Sequence, residues 1–150
     1  MFCFTYGDGF IHSRAHYRTV IEAQPMASRI QMIRGSSIAP KIIGEVHAVA
    51  AKYSRILVCL DSKYTHDHRL AELQAYASLA SKDSYCAVFD TLVKNMPKEM
   101  FSERSWELSE NPKTAVWGYL KTHPRFEIDG NIHSKLLIAG ARDGYLKRVR

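Results

Sequence analysis

Two aspartates stand directly behind two apolar runs in the middle of the chain. Residues 56–60 (ILVCL) are followed by Asp61, and residues 85–89 (YCAVF) are followed by Asp90. An amphipathic stretch separates the runs, which is the pattern of two buried parallel strands joined by a helix. The carboxyl ends of parallel strands meet at one edge of a sheet, where such folds bind ligands. Two carboxylates at that edge indicate a metal, a sugar hydroxyl or a proton-transfer task.

Side chains that can accept a proton follow the first of these aspartates. Lys63, His66 and His68 come shortly after Asp61 and are candidate general bases. Each also has a structural alternative. The two histidines begin the predicted helix and can cap it, and Lys63 can be a solvated surface cation.

The elements that position these residues alternate between helix and strand, which predicts an α/β fold. Helices are predicted over residues 14–23, 41–52, 67–79 and 112–121, and strands over residues 2–6, 29–33, 55–60 and 84–89. Asn111 is the expected cap of the last helix, with Pro112 in its first turn and Trp117 in the core. Residues 126–129 and 133–138 flank Gly130 and Asn131 and predict an antiparallel hairpin. A long charged loop containing Trp106 precedes Asn111.

Length and composition favour one domain and exclude some partners. The chain has 150 residues, of which 46% are apolar, enough for a single core. The net charge of +6 is scattered, so nucleic-acid binding is not expected. No membrane-spanning stretch and no signal peptide is visible. Cys59 and Cys86 fall in predicted strands as apolar fillers, which indicates a reducing, cytoplasmic setting.

Several stretches resemble the cephalosporin hydroxylase/rhamnosyl O-methyltransferase family, over about residues 12–150. The most distinctive are NPKTAV (residues 111–116) and DGYLKR (residues 143–148); others are GSSIAP, LDSKYTHDHRLAELQAYASL and SYCAVFDT. The resemblance implies a Rossmann-like class I methyltransferase sheet, mostly parallel with a C-terminal antiparallel hairpin. It also implies S-adenosylmethionine and Mg²⁺ as cofactors. The acceptor would be a sugar or small-molecule hydroxyl in lipid, glycolipid or natural-product biosynthesis.

The resemblance assigns roles to individual positions. Asp61 and Asp90 correspond to the acids near the metal, and Asp61 also borders the cofactor. Gly35, Ser36 and Ser37 resemble the turn beside the adenine of the cofactor. The carried-over metal residues are therefore Asp61 and Asp90, and the retained cofactor turn is the Gly-Ser-Ser triplet.

The chain departs from the family pattern at several places. Phe89 stands where relatives often have Glu, and Tyr64 stands where they often have His, so Lys63, His66 and His68 are the remaining candidate bases. The acid for the cofactor ribose is not in register, and Asp8 can replace it only after a shift.

The front of the family's domain is not recognisable in the sequence. The first strand and its glycine-rich loop are not matched, since Gly7, Asp8 and Gly9 lack the spacing of a nucleotide fingerprint. The chain is therefore interpreted as one partial methyltransferase domain that binds S-adenosylmethionine weakly or not at all. Either Phe2–Tyr6 fills the central strand position, or a partner does, or the gene product is truncated. An inactive remnant that serves as a binding or homo-oligomerisation module is the alternative function.

Overall fold

The computed structural model describes residues 2–6, 18–63, 65–95, 110–137 and 139–150. They separate into two compact units, Met1–Lys52 and Tyr53–Arg150. Asp8 and its flanking glycines, Tyr64 and Trp106 lie outside the described residues. No helix within the described ranges is long and apolar enough to cross a membrane.

The first unit is built on a pair of parallel strands. Strand β1 (Phe2–Tyr6) pairs with β2 (Ile30–Arg34), so that Phe2 lies opposite Ile30. Helix α1 (Pro40–Ala50) begins with proline in its first turn, overlaps the predicted helix over residues 41–52, and packs Ile42 and Val49 against Ile33. Residues 18–22 are helical, in agreement with the predicted helix over 14–23, whose first residues are not described.

The second unit contains a mixed sheet of four strands in the order β3-β4-β6-β5. The strands are β3 (Val58–Leu60), β4 (Tyr85–Val88), β5 (Phe126–Ile128) and β6 (Tyr145–Arg148). The helices are α2 (His66–Tyr76), α3 (Pro112–Leu120) and α4 (Gly130–Leu136). Strands β3 and β4 are parallel and α2 joins them, which confirms the predicted strand–helix–strand unit. The other two pairings are antiparallel.

The two parallel strands differ in burial. Cys86, Ala87 and Val88 of β4 are all buried, because β4 has a neighbouring strand on each side. In β3, Val58 and Leu60 are buried whereas Cys59 is exposed. Cys86 is therefore the apolar filler that the sequence predicted, and burial raises the pKa of its thiol. Cys59 is not a buried filler, because its side chain points to the opposite face of β3 from Val58 and Leu60, and it is exposed there.

The C-terminal hairpin has a different second strand from the one predicted. Residues 133–138 were expected to pair with 126–129, but Gly130–Leu136 is helix α4 and the partner of β5 is β6. Asp129 caps this helix, because its side chain accepts a hydrogen bond from the backbone N–H of Asn131 at 3.0 Å. The Gly130–Asn131 pair therefore begins a helix instead of forming a tight turn. The antiparallel pairing of β5 itself is as expected.

Helix α3 begins with a complete capping box. The Asn111 side chain accepts from the backbone N–H groups of Lys113 and Thr114, at 3.0 and 3.2 Å. In return, the Thr114 hydroxyl accepts from the Asn111 N–H at 3.2 Å. The predicted cap and first turn are confirmed. Trp117 is 43% exposed, so the expectation that it lies in the core was wrong.

Candidate functional site

Both aspartates lie at the carboxyl end of the paired parallel strands. Asp61 directly follows β3, and Asp90 comes two residues after β4. Leu60 is in register with Val88, and the N–H of Phe89 donates to the Leu60 carbonyl at 2.9 Å. The pairing therefore brings the two acids to one edge of the sheet, as the sequence predicted. Asp61 is exposed, whereas Oδ2 of Asp90 is buried.

The segment after β3, residues 61–63, is here named the β3 end. Its Lys63 lies close enough to His68, in the first turns of α2, for the lysine charge to act on the imidazole. Burial is the main cause that lowers the pKa of His68, and the positive charges of Lys63 and Arg69 lower it further. Glu72 opposes this shift, with its Oε1 atom 3.7 Å from Nε2 of His68. The lowered pKa keeps the imidazole neutral at pH 7, the state that can accept a proton.

A buried ion pair in α2 positions Glu72. Nη1 of Arg69 lies 3.0 Å from Oε2 of Glu72, and the two residues are 0% and 2% exposed. Nε and Nη2 of Arg69 are buried with no hydrogen-bond partner within the described part of the chain. Glu72 thus interacts with the arginine through one oxygen and with His68 through the other. This pair was not predicted from the sequence, although its spacing of three residues on a helix is a readable signal.

His66 joins two helices. Its Nδ1 atom lies 2.8 Å from the Thr114 hydroxyl oxygen of α3, and Thr65, not His66, occupies the cap position of α2. The ring also lies beside Gly118, where a β-carbon would be 3.8 Å from Cε1 of His66. The alternative in which this histidine caps its own helix is therefore wrong. Its ring holds the start of α2 against α3.

The segment after β4, residues 89–95, is here named the β4 end. Asp90 has a left-handed backbone with φ +61°, and the 3₁₀ turn Thr91–Asn95 follows it. The buried Thr91 hydroxyl donates to the Arg142 carbonyl at 2.6 Å. Two residues further along that loop, the Gly144 carbonyl accepts from the Val88 N–H at 2.8 Å. The loop before β6 therefore fixes the chain on both sides of Asp90.

An ion pair links the two most distinctive sequence stretches. Lys113 of NPKTAV is 5% exposed, and its Nζ lies 2.8 Å from Oδ2 of Asp143 in DGYLKR. The same ammonium donates to the Asn95 side-chain oxygen at 3.1 Å and lies 5.6 Å from the centre of the Trp117 ring. The hydrogen bond from Lys113 is the main cause that lowers the pKa of Asp143. Neither residue of this pair was singled out as a site residue from the sequence.

The Gly-Ser-Ser turn belongs to the first unit. Gly35 has φ +151°, and a β-carbon there would lie 2.6 Å from Cδ1 of Ile42. Glycine is favoured at this position, because L side chains rarely adopt this backbone conformation and a β-carbon would also require the Ile42 side chain to move. Ser37 is 7% exposed, and Ser36 is half-buried. Packing inside the unit therefore accounts for the glycine, and the turn occurs where the sequence predicted it.

A family model described as rhamnosyl O-methyltransferase/CmcI matches residues 10–149. The chain belongs to this family. No curated protein and no solved structure matches it. The membership confirms the resemblance stated from the sequence, and with it an O-methyltransferase relationship. Enzymes of this kind generally take a methyl group from S-adenosylmethionine and transfer it to a sugar or small-molecule acceptor.

The oxygen atoms at the strand ends of this methyltransferase-family chain suit a weakly held Mg²⁺. Mg²⁺ prefers oxygen ligands and keeps several waters, so two carboxylates can be enough. Ser62, which follows Asp61, adds a buried hydroxyl oxygen that has no hydrogen-bond partner among the described residues. The described ranges contain no group of three or more His, Cys, Asp or Glu side chains that could hold a metal. Among the described residues, the candidate donors are therefore these oxygens, with apolar Phe89 beside Asp90.

Proposed function

We propose that this chain is an S-adenosylmethionine-dependent O-methyltransferase that acts on a sugar or small-molecule hydroxyl, in lipid, glycolipid or natural-product biosynthesis. The observation that carries the proposal is the strand register, which brings Asp61 and Asp90 to the same edge of the β3–β4 pair. The family match supplies the reaction type, and the β3 end supplies candidate groups for proton transfer. The two units are proposed to serve as one methyltransferase domain.

The transfer requires a base for the acceptor hydroxyl. When bound, S-adenosylmethionine would supply the methyl group, whose bond to sulfur would break with the electron pair kept by sulfur as the bond to the hydroxyl oxygen forms. The hydroxyl proton must then move to a side chain of the protein. His68 is the favoured acceptor, because its pKa is lowered and its imidazole is neutral at pH 7. Glu72 near Nε2 would stabilise the imidazolium that forms.

The other two candidate bases receive different roles. His66 is engaged by the Thr114 hydroxyl of α3, which supports a positioning role at the start of α2. Lys63 contributes positive charge beside His68 and thereby favours the neutral imidazole. Both stay within the proposed catalytic set, with His68 as the proton acceptor.

The proposed cation would lower the pKa of the acceptor hydroxyl. Asp61 and Asp90 would hold Mg²⁺ through carboxylate oxygens, and the Ser62 hydroxyl is available nearby in the chain. On the cofactor side, Gly35, Ser36 and Ser37 are proposed to border the adenine of S-adenosylmethionine, with Asp61 also near the cofactor. The proposed ribose acid is Asp8. These cofactor assignments rest on the family resemblance.

Thermal unfolding with Mg²⁺ and Mn²⁺ tests the cation site. A ligand that binds only the folded chain at 100 times its Kd should add about 2.7 kcal/mol of stability. Asp61→Asn and Asp90→Asn should each abolish this gain. Asp67→Asn, an exposed aspartate in the first turn of α2, is the matched control and should keep it. An unchanged melting temperature of the wild-type chain in saturating metal would contradict the site.

Methyl transfer from labelled S-adenosylmethionine to a panel of sugars and small hydroxylated acceptors tests the reaction. His68→Asn should lower the turnover rate by a factor of about 10² to 10⁴, the usual contribution of a general base. The metal-induced stabilisation should stay unchanged in that variant. Binding of the cofactor without transfer to any acceptor would favour the alternative, a binding or homo-oligomerisation module.

A further inference from the structure

The Lys113 ammonium is an unusual group for the place it occupies. Lys113 is the second residue of α3, where the positive end of the helix dipole disfavours a cation. It is also 5% exposed, and a buried charge is costly without a partner. The stability of α3 therefore does not explain why a lysine occupies this position. The explanation must lie in the groups that bind its ammonium.

Those partners come from two other segments of the second unit. Asp143, 2.8 Å away, belongs to the loop before β6, and Asn95, 3.1 Å away, is the last residue of the 3₁₀ turn Thr91–Asn95. The ammonium thus connects α3, the loop and the end of the turn. A lysine with several oxygen partners uses its separate N–H donors for each.

The same loop also holds the first residue of the turn. The Thr91 hydroxyl donates to the Arg142 carbonyl at 2.6 Å, and Thr91 is 0% exposed. Both ends of Thr91–Asn95 are therefore fixed to the loop, directly at Thr91 and through Lys113 and Asp143 at Asn95. The turn is continuous with Asp90, whose carbonyl accepts from the Val93 N–H at 3.3 Å.

We propose that Lys113, with Asp143, is a positioning residue that fixes the Thr91–Asn95 turn and thereby sets the carboxylate of Asp90 for a divalent cation. The inference rests on the proposed function, because it needs Asp90 to bind that cation. Residues that orient a metal ligand without touching the metal commonly change its affinity by 10- to 100-fold when they are replaced. The ion pair would act through the backbone of the turn.

Mn²⁺ titration of the full chain by calorimetry tests the proposal. Lys113→Met should weaken Mn²⁺ binding by about tenfold, the lower end of the usual range. Asp143→Asn should weaken it similarly, and the double variant should bind no worse than either single one, because both changes remove the same interaction. Lys121→Met, an exposed lysine at the other end of α3, is the matched control and should bind as wild type.

A second variant, at an exposed residue, keeps the proposal testable if Lys113→Met fails to fold. Asn95 is exposed, so Asn95→Ala should leave the urea midpoint unchanged while removing the anchor of the turn. It should still weaken Mn²⁺ binding and speed hydrogen exchange of the Val93 amide. Wild-type affinity in both Lys113→Met and Asn95→Ala would overturn the positioning role alone. No Mn²⁺ binding by the wild-type chain would instead overturn the cation site of the proposed function, and this inference with it.

Discussion

The β3 end and the β4 end present equivalent aspartates in very different settings. Asp61 leaves an edge strand into an exposed segment, and the strand register places it. Asp90 leaves a central strand and is followed by a turn that Thr91 and Lys113 connect to distant parts of the chain. The difference indicates that strand pairing positions one acid of the proposed site, whereas the other is held in addition by contacts from α3 and the loop before β6.

The largest expected loss of stability comes from a substitution at Gly144, which lies against the backbone of Val88 just before the β4 end. A β-carbon at Gly144 would overlap the Val88 carbonyl oxygen, which is backbone and cannot rotate away. Gly144→Ala should therefore destabilise the fold by about 3 kcal/mol, at the upper end of the usual cost of overpacking. Gly140→Ala, in the same loop, has nothing within 4 Å of the new carbon and is the matched control. Equal urea midpoints for the two variants would refute the tight contact.

A smaller difference in stability is expected between variants at the cap positions of α2 and α3, the helices that follow β3 and β4 in the chain. Asn111 caps α3 with two hydrogen bonds, whereas Thr65 at the start of α2 makes no side-chain capping bond. Asn111→Ala should cost about 1 to 2 kcal/mol of stability, as loss of a cap usually does. Thr65→Ala should stay within about 0.5 kcal/mol of wild type. Chemical denaturation measures both, and a large loss from the threonine variant would contradict the contrast.

The pH dependence of stability should differ between the surroundings of the β3 end and those of the β4 end. Near the β3 end, the titrating group is His68, on which the Lys63 charge acts. The pKa of His68 is lowered from 6.5 in the folded chain, chiefly by burial, with Glu72 opposing and Lys63 and Arg69 adding to the shift. Below about pH 6.5 the unfolded chain therefore takes up this proton first, and stability falls as the pH drops. His68→Gln should remove that part of the slope in melting curves recorded from pH 7 to 5. A wild-type slope in the variant would contradict this assignment.

Asp143, which is linked to Asn95 of the β4 end through Lys113, should act in a more acidic window. The pKa of Asp143 is lowered from 3.8, first by the hydrogen bond from Lys113 and also by His133 and Arg142. Its contribution is therefore complete above about pH 4 and is lost as the pH falls through the folded-state value. Asp143→Asn should flatten the acid limb below pH 4 without changing the slope from pH 7 to 5. An unchanged acid limb would show that the ion pair adds no stability.

Local patterns predicted much of the frame around the site. The strand–helix–strand unit, the position of both aspartates and the Asn111 cap all followed from periodicity, turn residues and capping chemistry. The second strand of the hairpin was not predicted correctly from these patterns. Gly130 and Asn131 fit a tight turn as well as a helix start, and the Asp129 cap decided between them. Trp117 was misassigned because its helical spacing does not reveal which face of α3 is covered.

The sequence by itself determined the family, the alternation of strands and helices, and the place of Asp61 and Asp90 behind their strands. These properties depend on residues that are near each other in the chain. Tertiary structure alone decided that β6 lies between β4 and β5, and that Lys113 meets Asp143. Such contacts depend on which strand fills a free sheet edge. That choice is made by the packing of the whole unit, because hydrophobic burial has no direction of its own and many pairings satisfy the same local pattern.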